Sequence, residues 1–265
     1  MLRPISLTVQ VALALFVSST QLGTGTRETA TLYGAGSAGA PLFSFERVAR
    51  TERGDTQVEV WFQDAAGGLA LYERVFYEDG AVARYESHQH QVDERHVLRV
   101  VDDRALFEVT RDGETRESEE EWTANTVIID QLPDYIRTHW DLLMTSEELP
   151  IRFVVMFRGD IVDFKVSMRD KIERDDRPAV VFRLRPANFF VRWFVDAVHL
   201  TFSNDEPRAL LQVDGRAPVK RLDGDDWVDF EGRMVWDAPP PWGASDEAPL
   251  HAVGASATAP ERLQQ

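Results

Sequence analysis

The sequence predicts a mainly β (α+β) fold: a strongly curved antiparallel sheet, a half-barrel or open barrel, wrapped around one long helix, plus one short aromatic helix. Three observations predict it. From Pro41 onward apolar and polar residues alternate between short turn signals, as strands with one buried face do. Asp130 to Ser146, DQLPDYIRTHWDLLMTS, switches to helical spacing. Its apolar arc, roughly 200° wide, is broader than a helix needs to lie on a flat sheet.

The elements follow in order. Leu42 to Thr51, Thr56 to Asp64, Leu69 to Glu78 and Val82 to Gln91 read as strands; Asp79-Gly80 is a strong hairpin signal and Gly67-Gly68 a weaker one. Arg95 to Val101, Ala105 to Arg111 and Glu114 to Trp122 continue the pattern around Asp112-Gly113. Turns this short force antiparallel pairing, because a parallel return needs a crossover of a dozen or more residues. In the helix, Leu132, Ile136, Trp140 and Leu143 form one stripe, with Asp130 as the expected N-cap and Pro133 in the first turn. Ile151 to Arg158, Ile161 to Glu173 and Ala179 to Arg185 resume the strands. Asn188 is placed to cap the aromatic helix Phe189 to Asp196, after which Val198 to Ser203, Ala209 to Val213 and Trp227 to Trp236 complete the sheet.

The organisation expected is a signal peptide over 1–19, a flexible leader over 20–40, one β domain over 41–237 and a disordered Pro/Ala/Gly/Ser-rich tail over 238–265. MLRP followed by an apolar run ending near Val17 has the charge order and length of a secretory signal, too short to span a membrane as a mature helix. The expected location is therefore the periplasm, as a soluble chain without a transmembrane segment. With 265 residues, 43% of them apolar, the chain can bury a substantial core. A net charge of −16 without a basic cluster argues against a nucleic-acid partner. The absence of cysteine removes disulfides, thiolate catalysis and a lipid-bearing cysteine.

Few residues suggest chemistry. GAGSAG at Gly34 to Gly39 matches a dinucleotide fingerprint in spelling only, since just Thr31 to Tyr33 precede it as a strand. His88 and His90 share a strand face, and His96 follows on the next strand. A three-residue loop would bring all three together as a metal site, whereas a loop of two or four residues sends His96 to the other face. His139 reads as a packed, hydrogen-bonded histidine, and Ser203 with His199 and Asp205 as a triad in composition only. Glu117 and Glu119 to Glu121 read as a solvated edge strand. No cofactor, metal or catalytic residue is expected. Tyr135, Ile136, Trp140, Phe189, Phe190, Trp193 and Phe194 are the candidate ligand-binding residues, because apolar walls with a few polar groups hold acyl chains. The competing expectation is that these side chains simply fill the core.

HWDLL ahead of a new strand, together with RPANFFVRWFVDAVHLTF, resembles uncharacterised exported bacterial families similar to the periplasmic lipoprotein-carrier half-barrel proteins. That resemblance implies a curved sheet around a helix, holding acyl chains, and it transfers no catalytic residue. Two functions are therefore expected. One is a periplasmic carrier or binder of a lipid or other hydrophobic ligand, with an internal cavity. The alternative is a non-catalytic envelope structural or protein-interaction domain with a filled core and a protein partner.

Overall fold

A computed structural model describes residues 24–35, 39–188 and 197–237. The expected signal segment, the tail and the aromatic helix lie outside the described residues. The protein is mainly β, with one large sheet that is not closed. Its strands are β1 (Thr24–Gly34), β2 (Phe43–Glu52), β3 (Asp55–Asp64), β4 (Leu69–Glu78), β5 (Ala81–Gln89), β6 (Glu94–Val101), β7 (Arg104–Arg111), β8 (Glu114–Glu121), β9 (Thr126–Val127), β10 (Leu149–Val155), β11 (Asp160–Arg174), β12 (Arg177–Pro186), β13 (Val198–Ser203), β14 (Leu210–Asp223) and β15 (Asp226–Trp236). They lie in the order β8-β7-β6-β5-β4-β3-β2-β1-β15-β14-β13-β12-β11-β10-β9. Every pair is antiparallel except β9 with β10.

The expected meanders are present. Asp79-Gly80 and Asp112-Gly113 both take positive φ, the backbone a type I′ turn requires and one that twists with its strands. The element joining the two meanders is β1, which pairs with β2 on one side and β15 on the other. Thr24 to Gly34 falls within the expected flexible leader, so strand structure begins earlier than expected. Ala30 and Leu32, both 2% exposed, anchor this strand in the core.

The single long helix is also corrected. A 3₁₀ turn at Ile129–Gln131 leads into α1 (Leu132–Thr138) and α2 (Trp140–Met144), separated by His139 at φ −102°, ψ 17°. The His139 ring turns back onto its own helix: Nδ1 lies 2.9 Å from the Tyr135 carbonyl that also accepts the His139 N–H at 3.1 Å. Two claims on one carbonyl bend the ladder there. Asp130 lies inside the 3₁₀ turn, so it is not the N-cap; Ile128 occupies that position.

The sheet curves around two fillings. Leu132, Ile136, Trp140 and Leu143 pack on Ile151, Phe164, Val166, Phe182 and Phe202 of β10–β13. Ile128, Val154 and Met156 fill the concave face of the other half, against Phe45, Val60, Leu71, Tyr85, Leu98 and Phe107. Trp236 on β15 touches both fillings. At about 25 cal/mol per Å2, burial of this many large apolar side chains supplies the main driving force for the curvature. The edge strand β8 is exposed and acidic, which blunts edge-to-edge pairing. Its inner side is tied to the far end of the sheet, where the Ser118 hydroxyl donates to the Gly159 carbonyl and Arg152 donates to the Glu121 carbonyl at 2.6 Å.

Candidate functional site

The polar residues of the concave face are set by strand register. Arg47 on β2 opposes Val60 on β3, Val60 opposes Glu73 on β4, Glu73 opposes Ser87 on β5, and Ser87 opposes His96 on β6. Residues opposed across antiparallel strands point to one face, so Arg47, Glu73, Ser87 and His96 form a row across the inside of the sheet. Gln89 and Glu94 oppose each other one step along. Ser87, Gln89, Glu94 and His96 are all buried, with His96 only 4% exposed. Such a polar band in a core must be satisfied by hydrogen bonds or by a ligand.

Most of the band is satisfied. Arg111 grips the Glu94 carboxylate with two nitrogens, at 2.7 and 2.8 Å. Asp130 accepts from Arg47 Nε at 2.7 Å and Nη2 at 3.3 Å, and from the Tyr77 hydroxyl at 2.6 Å; Arg47 also reaches Glu28 at 3.1 Å. Burial alone would lower the Arg47 pKa, but the Asp130 carboxylate overrides it and holds the guanidinium above its ordinary value. Glu73 accepts from the Tyr85 hydroxyl at 2.5 Å and from Ser87. Desolvation is the main reason its pKa is pushed up to about 7; the Asp130 charge adds to this, while Tyr85 and Ser87 oppose it. Glu73 thus sits on the inner row with its carboxyl held by two hydroxyl groups.

His96 is the exception. Neither Nδ1 nor Nε2 has a hydrogen-bond partner among the described residues, and its nearest charge, Glu94, is 3.7 Å away and engaged by Arg111. Burial, chiefly, lowers its pKa and keeps the ring neutral, with one donor and one acceptor nitrogen. A groove of about 590 Å3, lined in part by Gly34, Leu42, Arg221 and Phe230, borders the same core through Leu42 and Phe230.

The candidate metal set does not assemble. Four residues, His90 to Asp93, separate the paired Gln89 and Glu94, so the register sends His96 inside while His88 faces the outer side with Arg95. The His88 and His90 rings lie against each other there, tilted by 37° with centroids 3.7 Å apart, and His88 meets Asp93 at 3.0 Å. No group of three metal-ligating residues occurs among the described residues. Ser203 closes its own loop by accepting from the Ala209 N–H and donating to the Asp205 carbonyl, while His199 meets Arg169 across the strands at 2.5 Å.

Of the candidate ligand-binding residues, Ile136 and Trp140 share one face of the helical segment, and Trp140 meets Phe182 edge-on at 4.9 Å and Phe202 at 6.0 Å. Arg208 covers the Trp140 ring at 4.8 Å. Tyr135, half-buried, stacks on His139 at 4.2 Å. Ile136 and Trp140 belong to the core cluster, and Tyr135 packs against it. Phe189, Phe190, Trp193 and Phe194 lie outside the described residues. The polar row of Glu73, Ser87 and His96 was missed by pattern reading. Its signal is that β5, in the middle of a meander, has polar residues on both faces after Tyr85.

Comparison with known proteins adds one likeness. No family model matches the chain, and no curated protein matches it. A solved structure described as a beta-barrel-like protein of a domain of unknown function, from Brucella abortus, is similar at 8% sequence identity, covering 82% of this chain and 96% of that chain with a TM-score of 0.47.

Proposed function

We propose that this chain is an exported, non-catalytic binding protein of the bacterial periplasm whose ligand, with a hydrophobic body, enters beside the Ile128, Val154 and Met156 filling of the inner face of β2–β7. The observation that carries the reading is the buried His96 imidazole, whose ring nitrogens have no hydrogen bond among the described residues, in a row with Glu73 and Ser87. Apolar pockets with a few convergent polar groups are the usual form of small-molecule sites. A buried polar group left unpaired costs about 1–3 kcal/mol, which a ligand supplying the missing hydrogen bonds would recover. The non-catalytic part is supported by Ser87, whose hydroxyl is engaged by Glu73 rather than by His96. Export is supported by the Arg3-then-apolar start of the sequence.

A second reading, a filled-core envelope protein that binds a protein partner, is favoured by the close packing of Trp140 with Phe182 and Phe202. Native mass spectrometry of protein purified from a periplasm, with organic extraction, separates the two. The binding reading expects a stoichiometric bound molecule, lost in a folded Ser87→Val variant, which removes the hydroxyl bonded to Glu73. A clean apo mass with no uptake of the neutral dye Nile red would favour the filled-core reading.

A further inference from the structure

The β11–β13 part of the sheet carries a second polar row, on its outer face. Phe164, Val166, Phe182, Leu184 and Leu200 pack with the helical segment, so the residues that alternate with them face away from it. Register aligns Ser167 on β11 with Arg183 on β12, and Arg183 with His199 on β13. Arg169, at the bulge in β11, joins the row through its Nη1, 2.5 Å from His199 Nε2. A guanidinium only donates, so Nε2 is the acceptor and the imidazole is neutral, with its proton on Nδ1. Burial chiefly, then the Arg169 charge, lowers the His199 pKa; Asp214 opposes this and Arg183 adds to it.

With 45 acidic residues against 29 lysines and arginines, carboxylates are in excess, yet none reaches these two arginines. Neither Arg169 nor Arg183 has an ion pair among the described residues, and Arg183 Nε is buried without a hydrogen bond. The neighbouring Arg185 and Lys165 share Glu148, and Asp214, opposite His199, accepts from Gln212 at 2.6 Å. Ser167 is 4% exposed, and its hydroxyl has no partner among the described residues either. Arg169 is exposed while Arg183 and His199 are half-buried, so the row is open to solvent at its Arg169 end.

We infer that this row is a site for a phosphate-type oxyanion, a free phosphate or the terminal phosphate of a lipid head group, held by the Arg169 and Arg183 guanidiniums with the Ser167 hydroxyl as a further donor. It stands apart from the inner polar band and goes beyond the binding reading above. Guanidinium forks match phosphate oxygens two at a time, and charge-assisted hydrogen bonds of this kind are the strong ones. A cationic ligand would meet two like charges, and a neutral one would leave both uncompensated. The net charge of −16 repels anions at long range, so local donors and not general attraction carry the binding.

The test titrates inorganic phosphate into the intact protein at about 150 mM sodium chloride, following the arginine Nε–H signals by 15N NMR. In parallel, co-sedimentation is measured with phosphatidylcholine vesicles with and without phosphatidic acid. Saturable phosphate shifts at Arg169 and Arg183 identify a free oxyanion, and sedimentation that needs phosphatidic acid identifies the head group; either supports the site. Arg183→Gln and Arg169→Gln should each weaken the binding about tenfold, the worth of one charge-assisted hydrogen bond. Arg104→Gln removes the same charge from an ion pair with Glu119 in the other half of the sheet, and should leave the binding within about twofold. Should Arg183→Gln fail to fold, Arg169→Gln, at an exposed position, decides alone. Phosphate shifts confined to other arginines, or a loss in Arg104→Gln as large as in Arg169→Gln, would overturn the inference. So would the absence of both phosphate shifts and sedimentation with phosphatidic acid.

Discussion

Replacing Asp130 by Ala should destabilise the protein more than any single surface change, because this carboxylate ties the helical segment to the sheet. Its side chain is 9% exposed and that of Arg47 20%. It accepts from two Arg47 nitrogens and from Tyr77, joining the 3₁₀ turn to β2 and β4 at once. Breaking a buried ion pair by removing one partner costs about 3–5 kcal/mol. Arg47 would keep Glu28 and some solvent, so the lower end, about 3 kcal/mol, applies. With a urea m-value of roughly 3 kcal/mol/M for a domain of this size, the unfolding midpoint should drop by about 1 M. Arg47→Ala alone and the double variant complete a cycle, and the coupling should exceed about 1 kcal/mol. A loss below about 1 kcal/mol, or additive single effects, would refute the tether.

Other expectations follow from the packing and the charges. Gly159 holds φ +62°, and a Cβ there would sit 3.1 Å from both Val109 Cγ2 and Ser118 Oγ, so Gly159→Ala should cost about 1–3 kcal/mol and lower Tm by several degrees in a thermal melt. Trp140→Ala should cost about 3–5 kcal/mol by leaving Phe182 and Phe202 facing a void, read by urea unfolding. Glu73 has a folded pKa of about 7 against 4.5 unfolded, so the native state binds more protons between those values. Its contribution is fully present below about pH 4.5 and is lost as pH rises through 7. The size is about 3 kcal/mol, and Glu73→Gln should flatten that part of the stability profile.

The strands that combine an alternating pattern with marked turns were legible almost residue by residue, as β4 and β13 show. β1 was not, because TGTRETATLYG presents Ala30 and Leu32 as its buried apolar residues among threonines and charges, and its partners, β2 and β15, are remote from each other in the chain. Strand propensity reflects the surface a strand packs on, and that surface is not written locally. The break at His139 was hidden because Ile136, Trp140 and Leu143 keep helical spacing across it, and only the ring's return to the Tyr135 carbonyl reveals it. The polar row was hidden for a related reason. Glu73, Ser87 and His96 look solvent-facing one strand at a time, and only the register places them on one inner face. The alternation rule for His88, His90 and His96 was sound, and the length of the loop decided its outcome.

The most direct test of an inner-face site is 15N NMR of the histidine rings, with His96 assigned through His96→Gln, during titration with Nile red at pH 7.5. The His96 nitrogens, which have no hydrogen bond at the start, should shift on saturation while the outer-face His88 and His90 stay in place. A shift confined to His88 and His90, or none at His96 with the ligand bound, would contradict it.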